Sequence, residues 1–190
     1  MMNNGDGSQS SGVYTRQAFE TAHGLAIDTR ISAPINDMQW QYLNVALNAG
    51  LDSASLLRWD ERTGVLPILN ADYCSIGFPG GAEGKAFGDT LGVGWTGSKT
   101  QIRAPETFAN GGWFSIRIQL FPDGRCGFAV NGAPIGISSR KAISSDRVRL
   151  LVHGNSVGTR VLAGEVIVRS GVVPDIDWSK VSRIPPFTSR

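Results

Sequence analysis

Residues 113–136 read WFSIRIQLFPDGRCGFAVNGAPIG, and this stretch decides the fold. Phe114, Ile116, Ile118 and Leu120 alternate with Ser115, Arg117 and Gln119, the period of a strand with one buried face. Pro122-Asp123-Gly124 offers a turn. Cys126, Phe128 and Val130 repeat the alternation on the way back. Asn131-Gly132 then supplies the pair suited to the positive φ angles of a tight hairpin. The stretch therefore predicts three antiparallel strands and no helix.

The same grammar extends in both directions. His23–Ser32 predicts a strand with Leu25, Ile27, Thr29 and Ile31 on one face and Ala26, Asp28, Arg30 and Ser32 on the other. Ala33-Pro34 ends it, since proline cannot donate to a ladder. Residues 39–48 place Leu43, Val45 and Leu47 toward a core and Trp40, Tyr42 and Asn44 away from it. Short strands are also expected at Tyr14–Phe19, at Ser55–Asp60, around Asn70, at Arg147–His153 and at Val161–Arg169. Between Gly77 and Gly97 eight residues are glycine, which predicts an irregular loop with room for one strand inside it, a feature often functional at this length. No convincing amphipathic helix and no internal repeat is present. Many short strands punctuated by turns predict an all-β, antiparallel two-sheet β-sandwich, best drawn as a jelly roll. Residues 1–12 read as a disordered leader, 13–172 as the sandwich and 173–190 as a tail that packs on it or trails from it, through Ile176, Trp178 and Ile184 if it packs.

Composition narrows the function classes. A chain of 190 residues suits one domain. With 41% hydrophobic and 18% charged residues it is globular rather than disordered. A net charge of +2 without a Lys/Arg run argues against a nucleic-acid partner. No apolar run reaches the length of a membrane span, so no membrane partner is expected. The start carries no signal-peptide pattern; the compartment stays unassigned, and the chain reads equally as a domain excised from a longer protein. The two cysteines, Cys74 and Cys126, read first as buried thiols, with one disulfide between strands as the alternative.

The stretch Trp113–Ile118, the turn Pro122–Arg125, the strand end Phe128–Gly132 and Pro134–Gly136 together resemble the concanavalin A-like lectin/glucanase superfamily, in its laminin-G-like and pentraxin-like branch. The strand at His23–Ser32 resembles the early core strand of such domains, and Leu162–Gly171 the closing strand. The resemblance covers residues 20–172. It implies a jelly roll, a fold that hosts lectins, glycosidases and plain interaction modules. The glucanase signature, carboxylates on alternate positions of one strand, is absent. No functional residue carries over from the family.

Other motifs yield to plainer readings. Gly92–Gly97 matches G-x-G-x-x-G, but the residues after Gly97 show no helical period and include Pro105, so a dinucleotide site is not expected. His23 and His153 lie in no ligand spacing, and no G-x-S-x-G elbow starts a hydrolase triad. No cofactor is expected; calcium alone stays open, because scattered carboxylates and loop carbonyls can bind it without a motif.

Strand parity supplies the candidate site. The faces opposite the aliphatic stripes carry Asp28, Arg30, Trp40, Tyr42, Asn44, Arg58, Arg117, Gln119, Arg149 and His153. Aromatic rings stack on sugar faces and planar polar groups read hydroxyls. Phe78, Phe87 and Trp95 in the glycine-rich loop form a second candidate. The expected ligand contacts are Trp40, Tyr42, Trp95, Arg117 and Gln119. The expected function is a non-catalytic, lectin-like recognition module whose partner is a glycan or glycoconjugate. The alternatives are a protein-interaction or structural module with a protein partner, homo-oligomers included, and a divergent polysaccharide-active enzyme.

Overall fold

The computed structural model describes residues 2–3, 9–32, 42–49, 72–78, 90–96, 98–103, 113–156 and 162–185. Fourteen strands appear among them: β1 (Met2–Asn3), β2 (Gln9–Tyr14), β3 (Phe19–Glu20), β4 (Leu25–Ser32), β5 (Tyr42–Asn48), β6 (Tyr73–Phe78), β7 (Thr90–Trp95), β8 (Ser98–Arg103), β9 (Trp113–Leu120), β10 (Cys126–Val130), β11 (Ala133–Ser138), β12 (Arg147–Ser156), β13 (Leu162–Ser170) and β14 (Arg183–Ile184). They form two sheets. One is eight-stranded, in the order β1-β2-β12-β5-β6-β7-β8 with β3 on β12; the other is six-stranded, in the order β13-β4-β9-β10-β11-β14. All pairings are antiparallel except β11 with β14. Among the described residues no helix is long and apolar enough to cross a membrane.

The 113–136 stretch forms β9, β10 and β11 as its alternation requires. Phe114, Ile116, Ile118, Leu120, Cys126, Phe128 and Val130 are all buried. The β10–β11 turn closes through Asn131 at φ 48° and Gly132 at φ +79°, the left-handed pair a two-residue hairpin demands. Asn131 Oδ1 accepts from the Ser115 amide at 2.7 Å and ties the turn back to β9.

The core lies between the sheets. Leu25, Ile27 and Ile31 of β4 and the inner face of β9–β10 meet Val45, Leu47, Ile76, Val93, Trp95, Val148, Leu150 and Val152 of the eight-stranded sheet. Each fully buried side chain of this size contributes about 1.5–3 kcal/mol. Cys74 of β6 and Cys126 of β10 are joined as a disulfide, with Cα atoms 6.4 Å apart. The bond links the two sheets, which replaces the first reading of two free thiols. Each cysteine sits on the inner face of its own sheet, and the sheets bring them face to face.

One further expectation is corrected. The leader does not stay apart: Gln9–Gly12 belong to β2, which pairs with β12 from Tyr14↔Leu151 to Gln9↔Ser156. Backbone groups make this pairing, so a run of Ser, Gly and Gln gives no hydrophobic sign of it. Within the glycine-rich segment one strand is present as expected: Thr90–Trp95 is β7, in a hairpin with β8. Gly94 is needed there because a Cβ would come within 2.8 Å of Ser75 Oγ. The strand expected at 55–60 lies outside the described residues.

Candidate functional site

The outer face of the six-stranded sheet is built from rows of residues paired across strands. One row runs Ile167, Asp28, Arg117, Ala129 over β13, β4, β9 and β10. Beside it Arg30 faces Ser115, and Ser32 faces Trp113. The first row, with Arg30 and Ser115, floors a cleft of about 400 Å³, whose charged lining is Asp28, Glu165 and Asp175 against Arg30, Arg117 and Arg169. Its volume lies within the range of small-ligand sites. Three acids against three bases leave the lining electrically balanced.

The charges form a chain. Arg117 Nε donates to Asp28 Oδ1 at 2.6 Å, and Arg117 Nη1 donates to Asp175 Oδ1. Arg169 Nη1 donates to the other oxygen of Asp28. Burial works against the Arg117 charge, but hydrogen bonds and attraction from Asp175 and Asp28 outweigh it and raise its pKa above the ordinary value. The Arg117 hydrogen bond in turn holds the Asp175 carboxyl below the usual carboxylate range. Outside the lining but next to Arg30, the Trp113 ring is 46% exposed, with the Arg30 guanidinium carbon 5.8 Å from its centroid. Trp113 shares the parity of Ser115 and Arg117. Trp113 was not among the expected contacts, although that parity was the signal that could have placed it there.

One row further on, the same face is sealed. Arg169, Ala26, Gln119, Gly127 and Ile137 align across the sheet, and Ala26, Gln119, Gly127 and Ile137 are buried. The segment 171–184 covers them. Gln119 Nε2 donates to the carbonyls of Leu25 (3.1 Å), Leu120 (3.0 Å) and Gly171 (3.1 Å), while its Oε1 accepts from the Val173 amide at 3.1 Å. Asp177 then caps a short 3-10 turn, Trp178–Lys180. The Trp178 ring lies on Gly127, where a Cβ would come within 2.6 Å, and meets Phe121 edge-on at 5.6 Å. Ile184 of β14, which runs beside β11, turns the other way and joins the core between the sheets.

The expected contacts separate accordingly. Arg117 lies in the cleft. Gln119, on the same strand and face, is 0% exposed and serves as the clamp for the covering segment. Trp95 is also 0% exposed and belongs to the core of the eight-stranded sheet, opposite Cys74. Both are corrected as ligand contacts, because neither presents surface. Tyr42 is placed in β5 opposite Asn155, in the other sheet from Arg117, and its side chain lies outside the described residues, as do Trp40, Arg58 and Phe87. Arg149, also expected on a binding face, donates to the backbone carbonyls of Thr15 and Arg16.

Among the described residues no three of His, Cys, Asp and Glu gather as metal ligands. In the cleft, both oxygens of Asp28 and one of Asp175 accept from guanidinium groups.

No family model matches the sequence, and no curated protein matches it. Solved structures match its fold. The carbohydrate recognition domain of Emp47p aligns with a TM-score of 0.63 at 10% identity, over 89% of this chain and 82% of that one. A protein of unknown function with a galectin-like fold from Bacillus subtilis aligns at 0.56 and 16% identity, over 86% and 78%. The lectin UEA-II, solved with galactose, aligns at 0.53 and 12%, over 87% and 82%. The chain therefore shares the two-sheet jelly-roll fold of these structures.

Proposed function

We propose that this chain is a non-catalytic, lectin-like carbohydrate-binding module, and that the cleft over Asp28 and Arg117 is its sugar site. The observation that supports this most is the cleft itself: an exposed tryptophan beside a balanced chain of guanidinium and carboxylate groups. Guanidinium N–H groups donate to sugar hydroxyls, carboxylate oxygens accept from them, and an indole face packs against the C–H side of a pyranose. Balanced charge suits a neutral saccharide. The proposed contacts are Trp113, Arg30, Asp28, Arg117, Arg169 and Asp175. The neighbours named above as carbohydrate-recognising share the fold that presents this face.

Hydrolysis is disfavoured by the same charges. A glycosidase needs one carboxyl kept protonated near neutral pH. Here Asp175 is held below the usual range, chiefly by its hydrogen bond with Arg117.

The test is a glycan array probed with the purified chain, once with calcium and once with chelator. The expected result is binding to a related set of neutral sugars that survives chelation and disappears in Arg117→Ala and Trp113→Ala. A blank array in both lanes overturns the proposal and favours a protein partner. Binding only in the calcium lane overturns the metal-free site.

A further inference from the structure

The two carboxylates on Arg117 come from different parts of the molecule. Asp28 belongs to the sheet. It faces Arg117 across β4 and β9, and its two oxygens take Arg117 Nε and Arg169 Nη1. Asp175 lies outside the strands. It reaches Arg117 Nη1 from the covering segment, and that segment is pinned on both sides of it. Before Asp175, Gln119 holds the Gly171 carbonyl and the Val173 amide. After it, Asp177 caps the turn that carries the buried Trp178.

Asp175 therefore stands where the carboxylate of an acidic ligand would dock. An arginine engaged through Nε offers its terminal nitrogens to a carboxylate, and Asp175 already holds Nη1. Its side chain is 54% exposed against 12% for Arg117, so a ligand meets the carboxylate before the guanidinium. Arg169 adds to the attraction that keeps this group charged. A sugar hydroxyl can donate to a carboxylate, whereas a second carboxylate has no proton to offer and is repelled. A binding site that builds in such a clash discriminates by rejecting the wrong ligand.

We propose that Asp175 is the specificity-determining residue of the cleft: it occupies the carboxylate position on Arg117 and so excludes hexuronic acids in favour of the corresponding neutral hexoses. The inference rests on the cleft being the sugar site. Acidic saccharides are then refused by one side chain of the covering segment and not by the sheet. With asparagine at position 175 the amide oxygen can still accept from Arg117, and the lining carries its three bases against the two acids that remain. The anchors of the segment at Gln119 and Trp178 are untouched, so the substitution changes charge and keeps shape.

The test is an NMR titration with six probes: the methyl glycosides of glucose, galactose and mannose, and those of the three corresponding hexuronic acids. Wild type is expected to bind at least one neutral probe and to bind its acid about tenfold more weakly or worse, the scale of a like-charge juxtaposition. Asp175→Asn is expected to raise the acid-to-neutral affinity ratio by about tenfold or more, the reversal of the same repulsion. Asp175→Ala, which removes the charge by a different route, is expected to raise it as well. Glu165→Gln takes one negative charge from the same lining, but at the β13 bulge opposite Arg30, and is expected to move the ratio far less. Circular dichroism checks that each variant is folded, and D175A carries the test if D175N is not. A wild type that takes a uronate as readily as its hexose, an unchanged ratio in the folded Asp175 variants, or an equal shift in E165Q would each overturn the proposal while leaving the sugar site standing. Silence toward all six probes in wild type and variants would remove the sugar site and this inference with it.

Discussion

Strand β9 carries two polar side chains on its outer face, two residues apart, and they have opposite fates. Arg117 floors an open cleft, whereas Gln119 is sealed beneath the segment 171–184. The difference arises outside the strand. Gln119 faces Ala26 and Gly127 across the sheet, and these small residues leave room for the covering segment and Trp178. Arg117 faces Asp28 and Ala129, and Asp28 holds it by charge while the surface beside it stays open. A polar residue on an outward parity is thus a ligand contact or a structural clamp according to which segment crosses over it.

The largest perturbation should act on both halves alike. Replacing Cys74 and Cys126 with alanine removes a link across 52 residues, which the loop-entropy estimate puts at about 4 kcal/mol. Denaturant unfolding should show that loss, with the ligand preference of the remaining folded protein unchanged. Next comes Trp178→Ala, which uncovers Gly127 and should cost about 3 kcal/mol. Hydrogen exchange at Val173 should then accelerate far more than at Ser115; equal acceleration would mean the two halves are not separate. Gln119→Leu strands three carbonyls and the Val173 amide and should cost about 2 kcal/mol, read by thermal unfolding. Arg117→Leu should cost less stability but weaken saccharide binding by about tenfold or more, equivalent to about 1.4 kcal/mol, by calorimetry.

The smallest effect is that of pH. The Asp175 pKa is depressed in the folded protein, chiefly by its hydrogen bond with Arg117. Its contribution is therefore fully present above the ordinary carboxylate range and is lost as pH falls through the depressed value. Because Asp175 is half exposed, screening keeps the effect well below about 1 kcal/mol. Unfolding midpoints of wild type and Asp175→Asn should differ slightly at neutral pH and converge in acid.

The legible parts of the molecule are the local ones. The hairpin around Asn131-Gly132 and the buried stripes of β4, β9 and β10 follow from residues a few positions apart. Arg117 was legible as an outward polar residue, and Trp113 carried the same parity two strand steps earlier. Gln119 was misread because its cover comes from a segment more than 50 positions later. Trp95 was misread because Gly92 and Gly94 disguise a strand whose alternate residues, Val93 and Trp95, point inward. The Cys74–Cys126 bond was not legible because parity places each thiol inward but does not say which strands face each other. The β2 pairing escaped because it depends on backbone hydrogen bonds, which composition does not record.

The most direct test of the open cleft is an amide chemical-shift map of the protein titrated with a saccharide identified on the array. Carbohydrate binding at the open half predicts shifts concentrated at Asp28 and Arg30, at Trp113–Arg117 and at Asp175, with Gln119 and Gly127 little changed. Shifts concentrated instead on the eight-stranded sheet around Tyr42 and Asn155, with residues 28 and 117 silent, would contradict it.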